Sequence, residues 1–224
     1  MATDEAKKII AEVSAQNIDD LVRSAEWSNE LEESVRGHIH QEFVSWFFFR
    51  KLAADCLRSN VALHGFALLW QRCAAACLIE GHWLEKYLVQ RGGRSKPTDL
   101  AAPKIEWPDS PVEPVAPVRE AFKVQKELLE DLERLATLSG KVGNNALKQE
   151  IESRYLHRKT RHVKEMGDLL QQTVRVSKQP GHGLFHLDQE LRQHEGKIPW
   201  GHWNDPENLE KTIEDVTVAL RRGL

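Results

Sequence analysis

Six prolines fall between residues 94 and 117, at positions 97, 103, 108, 111, 114 and 117. Proline lacks the backbone donor and its ring clashes with the preceding turn, so no ordinary helix crosses that stretch. On either side lie long runs with apolar residues at helical spacing. The chain is thereby divided into two helical halves, and the joints within each half decide how they pack.

Ahead of the prolines, residues 29–58 carry a stripe of Leu31, Val35, Ile39, Trp46, Phe49, Ala53 and Cys56, with Asn29 and Glu32 spaced to cap its start. A Ser59-Asn60 joint leads into a second helix over 61–91 (Phe66, Leu69, Cys73, Cys77, Leu84, Tyr87), closed by Gly92-Gly93. Beyond the prolines, 118–139 places Phe122, Gln125, Leu129, Leu132 and Leu135 inward. Gly140 and Gly143 then turn the chain into a helix over 145–178, stopped by Pro180-Gly181. Helices of about 30 residues are about 45 Å long, a span that needs roughly 14 extended residues to recross. Only the proline stretch is long enough. The fold class is therefore all-α: two antiparallel pairs joined by one long crossover, a four-helix bundle. Residues 1–27 repeat a weaker helical pattern (Ile9, Ile10, Val13, Ile18, Leu21, Val22) and read as an N-terminal arm.

A net charge of −3 offers no basic field for nucleic acid or an anionic membrane. Three cysteines, two of them one turn apart, make no disulfide framework and fit a reducing compartment. No apolar run has membrane-spanning length and the first residues lack a signal-peptide core, so the expected location is cytoplasmic.

Two acids interrupt the stripes. Glu42 and Glu80 fall on inward faces, where an unpaired carboxylate costs several kcal/mol or must neutralise. Other candidates are weaker. In His38-Ile39-His40-Gln41-Glu42 only His38 and Glu42 share a helical face, and a satisfied helix histidine is the simpler account. His157, Arg158, Arg161 and His162 form a basic cluster that fits a solvated or intersubunit face. The run Trp46-Phe47-Phe48-Phe49 is too wide for one stripe, which favours an oligomer.

Residues 87–94 (YLVQRGGR), 99–103 (DLAAP), Trp107 and 153–169 (SRYLHRKTRHVKEMGDL) resemble ferritin at the end of its second helix, its crossover and its fourth helix. The resemblance implies a ferritin-like bundle over 28–193, a short fifth helix near 183–193, and assembly into a 24-subunit shell. It also implies a di-iron oxidation centre, which needs converging carboxylates and a histidine. Glu42 matches the family's first-helix glutamate. The second-helix Glu-x-x-His positions read Cys77 and Glu80, the third-helix glutamate position reads Phe122, and the fourth-helix glutamine reads Lys159. These five residues read as a vacated di-iron centre in which the Lys159 charge replaces the metal and Phe122 fills space. The alternative is that each is partly solvated or locally paired. On this reading the chain has no catalytic residue, metal or cofactor, and is not an enzyme.

Residues 194–224 extend beyond a ferritin chain's usual end. Trp200 and Trp203 precede a helical pattern in which Leu209, Ile213, Val216 and Leu220 form a stripe, with Asp205 and Pro206 suited to its start. In ferritins the chain end points into the shell, so these tails are expected inside and filling the cavity. The arrangement resembles artemin, the ferritin homologue of encysted crustacean embryos, through His38-Ile39-His40-Gln41-Glu42, Ala102-Pro103-Lys104 and Lys197-Ile198-Pro199. That likeness implies a stress or dormancy (diapause) chaperone that stores no iron and binds non-native client proteins. RNA association, reported for the family, has little support from the charge. Artemin is rich in cysteine and this chain is not. The alternative function is an iron-storage subunit without an oxidation centre.

Overall fold

The computed structural model describes residues 3–178, 181–201 and 209–222. Its helices are α1 (Asp4–Ser14), α2 (Ile18–Val22), α3 (Asn29–Cys56), α4 (His64–Gln90), α5 (Val115–Lys141), α6 (Asn145–Glu150), α7 (His157–Ser177), α8 (His182–Gln193) and α9 (Leu209–Arg222), with a π-helical turn, Ile151–Leu156, between α6 and α7. Helix α3 packs on α4 and α5 on α7, with the proline stretch as the one long crossover between the pairs. This is the ferritin-like four-helix bundle, with α8 as its short fifth helix across the end of α4 and α7.

Local chemistry moves several predicted boundaries. Helix α3 is capped by Ser28 rather than Asn29, its Oγ accepting from Leu31 N at 3.1 Å. Helix α5 starts at Val115, so Pro117 sits in the first turn, where its missing N–H removes no helical bond. The fourth helix is broken by the π turn, whose extra residue per turn resets which side chains face inward.

Each bundle helix passes from one apolar cluster to another, with a charged residue at the change on three of them. In α3, Val35 and Ile39 belong to one cluster, Phe49 and Leu52 to the other, and Glu42 lies between. In α4, Glu80 separates Cys77 from Leu84, and Lys159 separates Tyr155 from Met166. The bundle thus has two dry layers with one ionic layer across its middle.

The tail is part of the fold. Gly196, at φ +81°, presses its backbone onto α4 so closely that a Cβ would lie 2.5 Å from the Leu68 carbonyl carbon. Ile198 and Ile213 are buried, Trp200 is half-buried against the cluster of Phe49 and Leu52, and Lys197 pairs with Glu214. The predicted tail stripe is corrected in register: Thr217 is buried beside Ile213, Val216 is half-buried and Leu220 is exposed. Helix α9 turns Ile213 and Thr217, four apart, toward α4, so Leu220 falls off that face. Trp203, Asp205, Pro206, Pro180 and the side chain of Leu209 lie outside the described residues.

Candidate functional site: an ionic layer in the bundle

The centre is assembled where α3 and α4 lie close together. Gly81 allows this, since a Cβ there would stand 3.3 Å from both Glu42 Cβ and Phe43 Cε1. The approach brings Glu42 and Glu80, both buried, to opposite sides of the Lys159 ammonium from α7. Lys159 Nζ lies 3.0 Å from Glu42 Oε1 and 2.7 Å from Glu80 Oε2. The Tyr155 hydroxyl, one turn earlier, donates to the Glu80 carbonyl oxygen at 3.4 Å and so ties the π turn to α4.

The pairing extends in both directions. Beyond Glu80, Arg158 forms a close ion pair with its other carboxylate oxygen. Beyond Glu42, His38 Nε2 stands 3.4 Å from Oε1, and His38 Nδ1 is 2.7 Å from Asp131 Oδ2 on α5. Asp131 also takes Arg134 at 2.8 Å. The result is an alternating ladder, Asp131, His38, Glu42, Lys159, Glu80, Arg158, in which three acids alternate with three basic side chains.

Electrostatics follow the geometry. Burial alone would raise the Glu42 carboxyl, but Lys159 and His38 overcome it and hold the group well below the usual carboxylate range. Burial likewise opposes a charged His38, yet Asp131 and Glu42 outweigh it and raise its pKa above the ordinary value. Asp131 is lowered against its own partial burial by His38 and Arg134. The Cys77 thiol, fully buried beside Glu42, is pushed well above its ordinary value by burial and by that carboxylate.

Of the five residues read from the sequence, the structure brings Glu42, Cys77, Glu80 and Lys159 together. Phe122 is half-buried and packs on the cluster of Phe49 and Leu52, its Cε2 3.6 Å from where a Cβ on Gly167 would stand. The α5 side chain that shares a cavity with Lys159 is instead Gln125, alongside Cys73, Ile198 and Ile213. Sequence reasoning left three members, His38, Arg158 and Asp131, out of the centre. His38 had a legible signal, its i, i+4 spacing to Glu42. Arg158 belongs to the basic cluster His157, Arg158, Arg161 and His162, whose pattern fits a solvated or intersubunit face. Asp131 carried no local signal at all, since its role depends on how α5 lies against α3.

A di-iron centre does not fit this set. A lysine ammonium stands between the two carboxylates, Phe122 offers no donor, and among the described residues no three His, Cys, Asp or Glu side chains converge as a metal site.

A four-helix bundle with one long crossover, a short fifth helix and a polar centre defines the ferritin-like class. The chain's sequence relatives agree. It is 30% identical over 167 residues to ferritin-3, chloroplastic, of Arabidopsis thaliana, covering 74% of this chain and 63% of that protein. It is 29% identical over 169 residues to ferritin-2, chloroplastic, of Vigna unguiculata, covering 75% and 66%. Against ferritin-3, chloroplastic, of Glycine max it is 26% identical over 171 residues, covering 76% and 66%. No protein-family model matches the chain. The chain spans just under two thirds of the length of these relatives, and the likenesses support the ferritin superfamily. They also correct one expectation. The sequence reading held that the chain is not an enzyme, whereas the proteins it resembles are ferritins, a class of iron-storing ferroxidases. No helix among the described residues is long and apolar enough to cross a membrane.

Proposed function

We propose that this chain is a subunit of a ferritin-like shell of 24 copies that stores iron, with a bundle centre held by a protein cation instead of metal. The ionic ladder carries this reading. A carboxylate-lined centre usually needs a metal for charge balance, and here Lys159, His38 and Arg158 supply it. The subunit can then fold and assemble without iron, leaving the mineral to the cavity. The ferritin relatives support storage as the task. The arm (1–27), bundle (28–193) and extension (194–224) divide the labour, with the tail on α4 facing the interior and the whole assembly in the cytoplasm. The test is to load the purified shell with Fe(II), follow oxidation by absorbance, and image the cavity. Mineral inside intact shells is the predicted result; shells that stay empty at saturating iron contradict storage.

A second reading, the client-binding chaperone of the artemin resemblance, has one observation in its favour. Ile9, Ile10, Val13, Ile18, Leu21 and Val22 are all exposed, so α1 and α2 offer an apolar face to non-native chains. Heat aggregation of a model client, measured with the parent and with an Ile9→Ser/Ile10→Ser/Val13→Ser variant, separates the readings. Protection that the variant loses favours the chaperone. RNA binding rests on the artemin resemblance alone.

A further inference from the structure

We infer that Trp27, Tyr87, Trp83 and Tyr155 form a relay for one-electron oxidation that ends on Tyr87, where a tyrosyl radical is open to a small reductant. The inference stands apart from the storage reading.

The rings form a continuous row. Trp27 and Tyr87 have their centroids 6.1 Å apart, Tyr87 and Trp83 5.7 Å, and Trp83 and Tyr155 5.6 Å. Tyr87 and Trp83 lie one turn apart on α4 and stack at an interplanar angle of 19°. The row begins at buried Trp27, just ahead of α3, and ends at buried Tyr155, whose hydroxyl meets the Glu80 carbonyl at the ionic layer. Its two middle rings are half-buried and reach the surface. Packing alone would be served as well by phenylalanine, of which the chain has seven. The row instead uses only indole and phenol, the rings that lose an electron most readily, and it takes in both of the protein's tyrosines.

Electrostatics sets where the electron vacancy stops. The Arg154 guanidinium stands 4.3 Å from the Trp83 centroid, and that of Arg91 5.8 Å from the Trp27 centroid. A cation held over a ring face opposes positive charge on that ring, so an indole radical cation is unfavourable at both. Trp27 Nε1 is also buried with no hydrogen-bond acceptor among the described residues, which leaves its proton nowhere to go. Tyr155 donates its proton to a backbone carbonyl, which is no base, and burial raises its phenol pKa. Tyr87 differs in being half-exposed, so its phenol can hand its proton to water. The neutral phenoxyl radical left there carries no charge for a guanidinium to oppose.

The steps balance. A one-electron oxidant, such as the azidyl radical, takes an electron from Trp83 and becomes azide. Tyr87 passes an electron to Trp83 across the stacked pair and releases its phenolic proton to water. Trp83 is restored, and one phenoxyl radical and one proton are the net products. Oxidation at Trp27 or Tyr155 drains into the same pair, because each abuts one of its rings. A reductant such as ascorbate then returns an electron and a proton to Tyr87.

The test is pulse radiolysis of the full chain in azide buffer without iron, where azidyl radicals oxidise indoles. In the parent, the visible indolyl band should decay as the near-ultraviolet phenoxyl band grows, at one first-order rate independent of protein concentration. Tyr87→Phe should lose that phenoxyl growth, and Tyr155→Phe should keep it. Trp27→Phe/Trp83→Phe, which takes away both indoles that adjoin Tyr87, should lose it as well. A parent without the growth, growth that survives Tyr87→Phe or the double indole change, or growth lost in Tyr155→Phe overturns the inference. If the double indole variant does not fold, the two tyrosine variants decide alone, since each deletes a single hydroxyl. Because iron is absent throughout, a shell that stores no mineral would sink the storage reading and leave this one standing.

Discussion

The ionic layer and the two apolar layers beside it are built from the same four helices, yet they respond to damage in opposite ways. An apolar layer is additive: a deleted side chain leaves a cavity, and the neighbours lose what they touched. The ionic layer works by cancellation, so deleting one member strands another charge in the core. A buried ladder is thus a poor source of net stability and a strong constraint on which helices may lie together.

The largest expected effect breaks the ladder at the acid that Lys159 and Arg158 share. Glu80→Leu leaves Lys159 and Arg158 sharing no carboxylate, and should cost about 3–5 kcal/mol in urea unfolding. Leu84→Ala, one turn away in the apolar layer, should cost about 2–5 kcal/mol, scaling with the cavity it leaves. Changing Leu84 and Leu132 together should lose roughly the sum of the single effects if the sites are independent, which is the behaviour the ionic layer is not expected to share.

Acidity sharpens the same contrast. Glu42 and Asp131 are depressed in the fold, so their contribution is complete above their unfolded values near 4 and is lost as pH falls through the lower folded values. His38 is raised, so its contribution is complete below about 6.5 and is lost as pH rises through the folded value. Urea midpoints should therefore peak at about pH 4.5–6.5 and decline on both sides. Replacing His38 by Gln should remove the decline on the alkaline side. The smallest effect belongs to the arm: Ile9→Ser or Val13→Ser, exposed on a helix with no buried residue, should change subunit stability by less than about 0.5 kcal/mol.

Most of the bundle was legible because its signals are local. The proline stretch, the loop lengths and the 3.6-residue stripes fix pairing without any knowledge of contacts between helices. Glu42, Glu80 and Lys159 were legible because a charge on an apolar stripe needs a partner, and few partners were on offer. Asp131 and Gln125 were not legible, because inter-helix register decides which turn of α5 meets the layer. The tail was half legible. Its amphipathic pattern was visible, but Ile213 and Thr217 face α4 while Leu220 does not, and that rotation is set by where Gly196 anchors the chain. The arm shows the limit of pattern alone, since Ile9, Ile10, Val13, Ile18, Leu21 and Val22 have helical spacing yet all stay exposed in the subunit.

The central claim is that Lys159 and Glu42 act as one unit, and a double-mutant cycle measures that directly. Glu42→Gln, Lys159→Gln and the double variant are unfolded in urea at pH 6. The ladder predicts that the double variant is more stable than the sum of the single losses implies, by at least about 1.5 kcal/mol. Losses that add to within about 0.5 kcal/mol would contradict it, and would mean that Lys159 was never the partner of Glu42.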